Sequence, residues 1–306
     1  VTEVGGVENL GMVNRGEDAE ITTYLQEALD SELSGNIIDL CPVGALTNKP
    51  FRYSARAWEL GSKPMVSPHD CVGSNMHGHT RRSELMRVVP KDNEAINQTW
   101  IADRDRYSHF ALNSDARLAQ PMVKRDGEWE AVSWETAMEL LKTRLERTIE
   151  ADGAKAIGAI ASPSATTEEL FLLQQLMRGL GSNNIDHRPH VHDTTADQWW
   201  AGFPGLDCSM ADIEAADHIM VIGGNVRKDQ PLVHHRIRQA SLKGAAVSVI
   251  NPADFEFRCD VSHQALVADD ELVMTVAALA KALIGTKKTG FPAGFKTLVK
   301  GAKETA

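Results

Sequence analysis

The chain has 306 residues, a formal net charge of −10, and 42% hydrophobic and 24% charged residues. That length and apolar content suffice for two domains, or one large and one small, each with a core. The acidic balance speaks against a nucleic-acid binder, which carries a basic footprint. No apolar run approaches the roughly 18–20 residues that a bilayer span needs, and no charged-then-apolar leader opens the chain. A soluble intracellular protein is expected, able to dock on a membrane complex through protein contacts. The opening VTEVGGVENLGMVNRGED reads like the middle of a domain, so the chain is expected to be a fragment.

Taken in order, the elements begin with a helix expected from Glu20 to Leu33, where Ile21, Tyr24, Leu25, Ala28 and Leu33 recur near helical spacing and Gly35 supplies a stop. Ile37 to Leu40 is short and β-branched, an expected extended lead-in to Cys41. Pro50 to Pro68 is turn-rich and aromatic and reads as a boundary. Glu84 to Val89 reads as a strand preceded by the loop HDCVGSNMHGHTRR. The stretch from Trp100 to Trp134 is rich in Asp and Arg and is expected to track the surface irregularly, with a short hairpin around Asp126-Gly127.

The second half is more regular. Ser133 is placed to cap a helix from Trp134 to about Glu150 that buries Ala137, Met138, Leu141 and Leu145. Ala156 to Ala161 reads as a strand. Thr166 and Glu169 form a capping box for a helix through Leu170, Leu173, Met177 and Leu180, stopped by Gly181. A strand from His218 to Ile222 runs into Gly223-Gly224. Pro231 opens a helix through Val233 and Ile237 with Gly244 at its end. Ala246 to Ile250 is a strand and Glu271 to Ile284 an apolar helix. Strands alternating with helices imply right-handed βαβ units and a parallel sheet, an α/β fold. The remainder, from Gly285, is basic and punctuated by glycine.

Chemistry has few candidate positions. Four cysteines (Cys41, Cys71, Cys208, Cys259) lie far apart with no Cys-x-x-Cys, which supplies neither a disulfide framework nor a complete metal site. Cys41 precedes Pro42, and a Cys-Pro pair closes the cysteine run of bacterial iron–sulfur clusters. The proline ends the preceding segment and suits the first turn of a following helix. Taken singly, Cys41 is either an inert buried thiol or one ligand whose partners lie elsewhere. Cys71 shares a loop with His69, Asp70, His77 and His79, but their spacing matches no zinc pattern, which favours a polar surface loop. His187, His190 and His192 are interrupted by Pro189, which argues against a facial metal site on one helix. The Gly223-Gly224 turn is of the kind that lets a phosphate approach a helix N-terminus, without the full Gly-x-Gly-x-x-Gly spacing.

The stretch NRGEDAEITTYLQEALDSELSGNIIDLCPVGALTNKPFRYSARAWEL, Asn14 to Leu60, closely resembles the large iron–sulfur subunit of proton-pumping NADH-quinone oxidoreductases. The resemblance continues through VGSNMHGHTRRSELMRVVPKDNEAINQTWIADRDRY and DARLAQPMVKRDGEWEAVSWETAMELL. It extends over GSNNIDHRPHVH and ADHIMVIGGNVRKDQPLVHHRIRQASLKGAAVSVINPADF, weakening after about Thr286. It implies three parts: residues 1–60, the end of a ferredoxin-like [4Fe–4S] domain; residues 61–120, a small iron–sulfur-type domain; and residues 121–306, a truncated α/β domain like that of molybdopterin oxidoreductases such as formate dehydrogenases.

By that resemblance Cys41 corresponds to the fourth thiolate of a [4Fe–4S] cluster, with the other three ligands preceding Val1. Further clusters, including a [2Fe–2S], belong to the full-length subunit. Some bacterial members hold an extra cluster in the second part; Cys71 survives here, while Ser74, Gly78 and Ala102 stand at the other ligand positions, so that cluster is not expected. Where a formate dehydrogenase carries its molybdenum ligand this chain has His192, and no molybdopterin is expected; Asp186 and His187 become remnants of a nucleotide loop or simple packing. The implied function is electron transfer from NADH and flavin through iron–sulfur clusters toward quinone, coupled to proton pumping. Implied partners are the flavin-bearing subunit and the iron–sulfur subunits of the peripheral arm, with no nucleic acid and no direct membrane span. The implied location is the cytoplasmic side of a bacterial inner membrane, or the matrix side in a mitochondrion. Two other functions remain open at the level of sequence: a molybdopterin enzyme of the formate dehydrogenase type, and a purely structural scaffold.

Overall fold

A computed structural model describes residues 2–23, 28–188 and 205–284 of the chain. They belong to two units, one made of Val1–His109 with Ala201–Ala306, the other of Phe110–Trp200.

The first unit opens with a helical turn, α1 (Thr2–Gly5), and a hairpin in which β1 (Leu10–Val13) pairs antiparallel with β2 (Glu20–Thr23). The helix expected from Glu20 therefore does not start there. Ile21, Thr22 and Thr23 follow their β-branched preference, and Asn14 and Gly16, both at positive φ, turn the chain between the strands. Tyr24 and Leu25 lie outside the described residues. Ile37 to Leu40 is also not extended: Asn36–Leu40 is a short helix, α2. Next come three antiparallel strands, β3 (Gly61–Val66), β4 (Asn75–Arg81) and β5 (Glu84–Pro90), ordered β3-β4-β5 with a bulge at His79/Thr80. His77 and His79 thus sit on a strand rather than in a loop. Buried Met76, Val88 and Ile101 form the core of this sheet. The Asp/Arg-rich stretch after it is not a surface connector at its start. It folds into α3 (Asp103–Tyr107), with Asp105 and Arg106 buried.

In the second unit the expected hairpin forms between β6 (Met122–Arg125) and β7 (Glu128–Ala131), with Asp126 and Gly127 at positive φ. Ser133 caps α4 (Trp134–Asp152) by accepting from the Thr136 N–H at 3.2 Å. The expected buried face does not materialise. Met138 and Leu141 are exposed, and Ala137 and Leu145 only half-buried. The strand β8 is shorter than expected, Ala159–Ile160, and pairs in parallel with β9 (Ile185–Asp186). The capping box of Thr166 and Glu169 opens α5 (Thr167–Gly179), which buries Met177. Gly181 follows at φ +87°.

Returning to the first unit, α6 (Met210–Glu214) leads into β10 (His218–Ile222). A short turn, α7 (Val226–Asp229), precedes α8 (Pro231–Leu242), which starts on its proline as expected. Then β11 (Ala246–Asn251) and β12 (His263–Leu266) complete a parallel sheet ordered β10-β11-β12, followed by α9 (Asp269–Ile284). Val221, Ile237, Val247 and Val249 form the core between sheet and α8. Alternation of strand and helix with parallel pairing makes this an α/β fold.

Candidate functional site

The site is built around the end of α2. Cys41 caps that helix, its N–H donating to the Ile37 carbonyl at 3.1 Å. Pro42 has no N–H to continue the ladder, and no helix follows it. The chain turns instead: the Gly44 N–H reaches back to the Cys41 carbonyl at 3.4 Å, with Gly44 at φ +66°, where glycine is free of strain. That turn wraps the thiol. The Leu46 N–H donates to Cys41 Sγ at 3.5 Å. The Leu46 contact, with lesser contributions from the amides of Val43, Ala45 and Gly44, holds the thiol below its ordinary pKa against the opposing pull of desolvation. Converging N–H groups make an anion-favouring nest, and a thiolate is the form that binds metal.

Residues from far along the chain clamp the segment that delivers Cys41. Asp103 accepts from the Ser34 hydroxyl at 2.5 Å and from the Gly35 N–H at 2.7 Å. Burial nevertheless pushes the Asp103 carboxyl above its usual range, only partly offset by the Ser34 and Gly35 hydrogen bonds. Asn36 is buried, its amide donating to the carbonyls of Leu33 (2.9 Å) and Ile101 (2.8 Å) while its Oδ1 accepts from the Ile101 N–H at 3.1 Å. Arg106, only 1% exposed, places Nη2 2.5 Å from Asp39 Oδ2 and 3.4 Å from Asn36 Oδ1. Gly35 is the residue that admits it, since a Cβ there would stand 2.7 Å from Arg106 Cδ and Nε. Beside them Arg87 lies 4.6 Å over the Phe51 ring and donates to His79 Nδ1 at 3.0 Å. None of Asn36, Asp39, Asp103 and Arg106 stood out in the sequence. The alternating Asp-Arg-Asp-Arg of α3 was the available signal, and charge alone pointed it toward solvent.

The second group of candidates is dispersed. The Cys71 residue is exposed overall, yet partial desolvation of its thiol, and then Asp70, push its pKa up, and its N–H donates to Gln230 Oε1 at 3.1 Å. His69 Nε2 is 2.7 Å from Ser108 Oγ, and His79 is committed to Arg87. All four cysteines are free thiols. Among the described residues no group of three or more His, Cys, Asp or Glu side chains is placed to hold a metal ion. The residues at the other positions that the resemblance assigns to an extra cluster are packed into the fold. Ser74 is fully buried and hydrogen-bonds through its hydroxyl to Asp70. A Cβ at Gly78 would meet Met65 Sδ at 2.8 Å, and Ala102 is 2% exposed. Asp186 Oδ1 accepts from the N–H groups of His187 (2.7 Å) and Arg188 (3.1 Å), which lower its pKa and leave both Asp186 and the His187 side chain exposed. His190 and His192 lie outside the described residues.

Comparison with known proteins bears on both halves. Residues 1–47 match the ferredoxin-like domain of NADH-quinone oxidoreductase subunit 3, and residues 64–109 the 4Fe-4S domain described as NADH-ubiquinone oxidoreductase NDSU1/NuoG-like. Residues 117–288, more than half of the chain, match the molybdopterin oxidoreductase model. The chain belongs to the molybdopterin oxidoreductase family.

Within that family it is similar to an NADH-quinone oxidoreductase subunit of Rickettsia typhi, 38% identical over 79% of this chain and 35% of that protein. It is likewise similar to the NADH-ubiquinone oxidoreductase 75 kDa subunit of Reclinomonas americana, at 39% over 79% of this chain and 36% of that protein. A third relative is the mitochondrial NADH dehydrogenase [ubiquinone] iron-sulfur protein 1 of Solanum tuberosum, at 36% over 90% of this chain and 36% of that protein. The resemblance to the large iron–sulfur subunit therefore holds. The chain spans about a third of the length of these curated relatives. Acetylene hydratase from Pelobacter acetylenicus shares the fold, with a TM-score of 0.56 at 14% identity over 78% of this chain and 34% of that one.

For a molybdopterin oxidoreductase the glycine turn after β10 is the described place to test for a phosphate. Its amides are already engaged. The Gly223 N–H donates to the Ile250 carbonyl and the Gly224 N–H to Asn251 Oδ1, both at 2.9 Å. Asn225 caps the next turn through the Lys228 N–H. A Cβ on Gly223 would lie 3.2 Å from Leu272 Cδ2, so α9 closes over the turn. These residues do not fit a pterin phosphate.

Proposed function

We propose that the chain is part of the large iron–sulfur subunit of a proton-pumping NADH-quinone oxidoreductase, in which electrons from NADH and flavin pass through iron–sulfur clusters toward quinone. In this reading Cys41 is one ligand of a [4Fe–4S] cluster whose other thiolates lie outside the described residues. The observation that carries it is the nest of amides from Val43 to Leu46 around Cys41 Sγ, in a chain whose relatives bear the names of that complex's subunits. A bound cluster supplies one-electron transfer there. The protein's part is to hold the thiolate in place: the nest stabilises its charge, Pro42 and Gly44 fix the turn, and Asp103, Asn36 and Arg106 fix the helix that leads to it.

The three-part division at residues 1–60, 61–120 and 121–306 belongs to the same proposal, as do the partners: the flavin-bearing subunit and the iron–sulfur subunits of the peripheral arm. Among the described residues no helix is long and apolar enough to cross a membrane, which suits a peripheral position on the cytoplasmic or matrix side. Residues 121–306 act as scaffold in this reading, because the amides of their glycine turn are used internally. The test is EPR of the native complex carrying Cys41→Ala. Loss of one [4Fe–4S] signal is expected; an unchanged spectrum would overturn the ligand assignment.

A further inference from the structure

Residues 42–66 hold four cations, Lys49, Arg52, Arg56 and Lys63, against one acid, Glu59, in a chain of net charge −10. Glu59 is already engaged: its Oε2 accepts from the Arg56 N–H at 3.1 Å and stands 3.7 Å from Arg81 Nη1. The adjoining turn between β4 and β5 adds Arg81 and Arg82 against Glu84, so cations stay in excess. Neither Arg52 nor Arg56 has an ion-pair partner among the described residues. Each guanidinium lies instead over an aromatic ring, Arg52 at 5.2 Å from the Tyr53 centroid and Arg56 at 5.9 Å from that of Trp58. Those rings are uncovered, Tyr53 94% and Trp58 82% exposed. Beside them Tyr53, Arg56, Glu59 and Arg81 line a cavity of about 450 Å³.

The turn that carries these side chains is fixed. The carbonyl of buried Asn48 accepts from the N–H groups of Phe51 (3.1 Å) and Arg52 (2.8 Å), and Arg81 donates to the Ser54 carbonyl at 3.0 Å. Tyr53 is held at φ +70°, uncommon for an L residue. A ring set out in solvent by so constrained a backbone costs little further ordering when a partner covers it.

We propose that this turn is a docking surface for an acidic segment of another protein, which seats a carboxylate between Arg56 and Arg81 and lays apolar side chains on Tyr53 and Trp58. It rests on the functional reading above only for the partner being a subunit of the same complex. Tyr, Trp and Arg are the residues that dominate binding energy at protein interfaces, and a guanidinium matches a carboxylate in two-pronged geometry. The unpaired arginines set the sign of the partner. A two-fold pair of this chain would face these cations with their own copies. An anionic membrane would attract the patch but repel a chain whose net charge is −10.

Hydroxyl-radical footprinting compares the full-length subunit alone with the assembled NADH-quinone oxidoreductase complex. Tyr53 and Trp58 are expected to oxidise readily in the free subunit and about fivefold more slowly in the complex, as residues taken into the desolvated centre of an interface do. Protection already present in the free subunit means that the rest of the same subunit covers the rings. Rings still open in the complex mean that nothing does. Either result overturns the proposal. Photocrosslinking from p-benzoylphenylalanine placed at position 58 then names the occupant. Capture of a segment of another subunit that carries Asp or Glu supports it. No capture, or capture of lipid, of a second copy or of a segment without acids, rejects it. Arg52→Glu with Arg56→Glu is expected to abolish the protection of Trp58, and Arg52→Lys with Arg56→Lys to retain it; full protection in the reversed variant rejects the proposal. Should the reversed variant fail to assemble, the crosslink decides alone. A subunit missing from the purified complex defeats the functional reading together with this inference, whereas one present with its rings open defeats this inference only.

Discussion

At the scale of single residues, Cys41 and Cys71 are the same side chain in opposite surroundings. Amides led by that of Leu46 favour the Cys41 thiolate, whereas burial and Asp70 disfavour that of Cys71. Cys259 is shifted upward as well, by burial. Alkylation follows the thiolate fraction. In the isolated chain, Cys41 is expected to react with iodoacetamide with a pH midpoint below the ordinary thiol value and below those of Cys71 and Cys259. Peptide mass spectrometry across a pH series reads this directly, and a higher midpoint for Cys41 than for Cys71 contradicts the nest. Cys41 itself was legible in the sequence through Cys-Pro. Its clamp was not, because Asp103 and Arg106 follow it by more than 60 residues and bury their charges only by meeting Ser34, Gly35 and Asp39.

At the scale of elements, α8 carries two adjacent buried histidines. Burial is the first cause that lowers both pKa values, from 6.5 to about 4, with Arg227 reinforcing it for His234. His235 also packs edge-on to Trp100, ring centroids 6.3 Å apart. Both rings are neutral in the fold, while in the unfolded chain they take up protons near pH 6.5. Their stabilising contribution is therefore present above about pH 6.5 and lost as the pH falls toward about 4. The urea midpoint of the chain is expected to decline over that window, and the double variant His234→Gln, His235→Gln to flatten the decline. An unchanged slope would mean that the histidines are not buried neutral. The helix itself was legible from Pro231 and Gly244. Two of the misassigned elements, β2 and α2, are four and five residues long. Partners elsewhere in the chain decide such short pieces: Leu10–Val13 for the strand, Ile101 and Arg106 for the helix.

At the scale of the whole molecule, the second unit leaves its apolar stripes uncovered. Trp134, Met138 and Leu141 at the start of α4 are exposed, as are Phe171, Leu172 and Leu176 on α5. Apolar surface of that extent drives association. The chain expressed by itself is expected to self-associate at micromolar concentration in sedimentation velocity, and Met138→Lys with Leu172→Glu to shift it toward monomer. A monomeric wild-type chain would refute this.

By itself the sequence determined the α/β class, the positions of the regular helices and the family, because periodicity, capping residues and motif runs are local properties of a chain. Tertiary structure alone decided which apolar stripes are buried, why Arg106 lies in the interior, and that the glycine turn spends its amides on Asn251 and Ile250. Each of those depends on a partner distant in sequence, and burial of a charge or an amide becomes favourable only when that partner arrives.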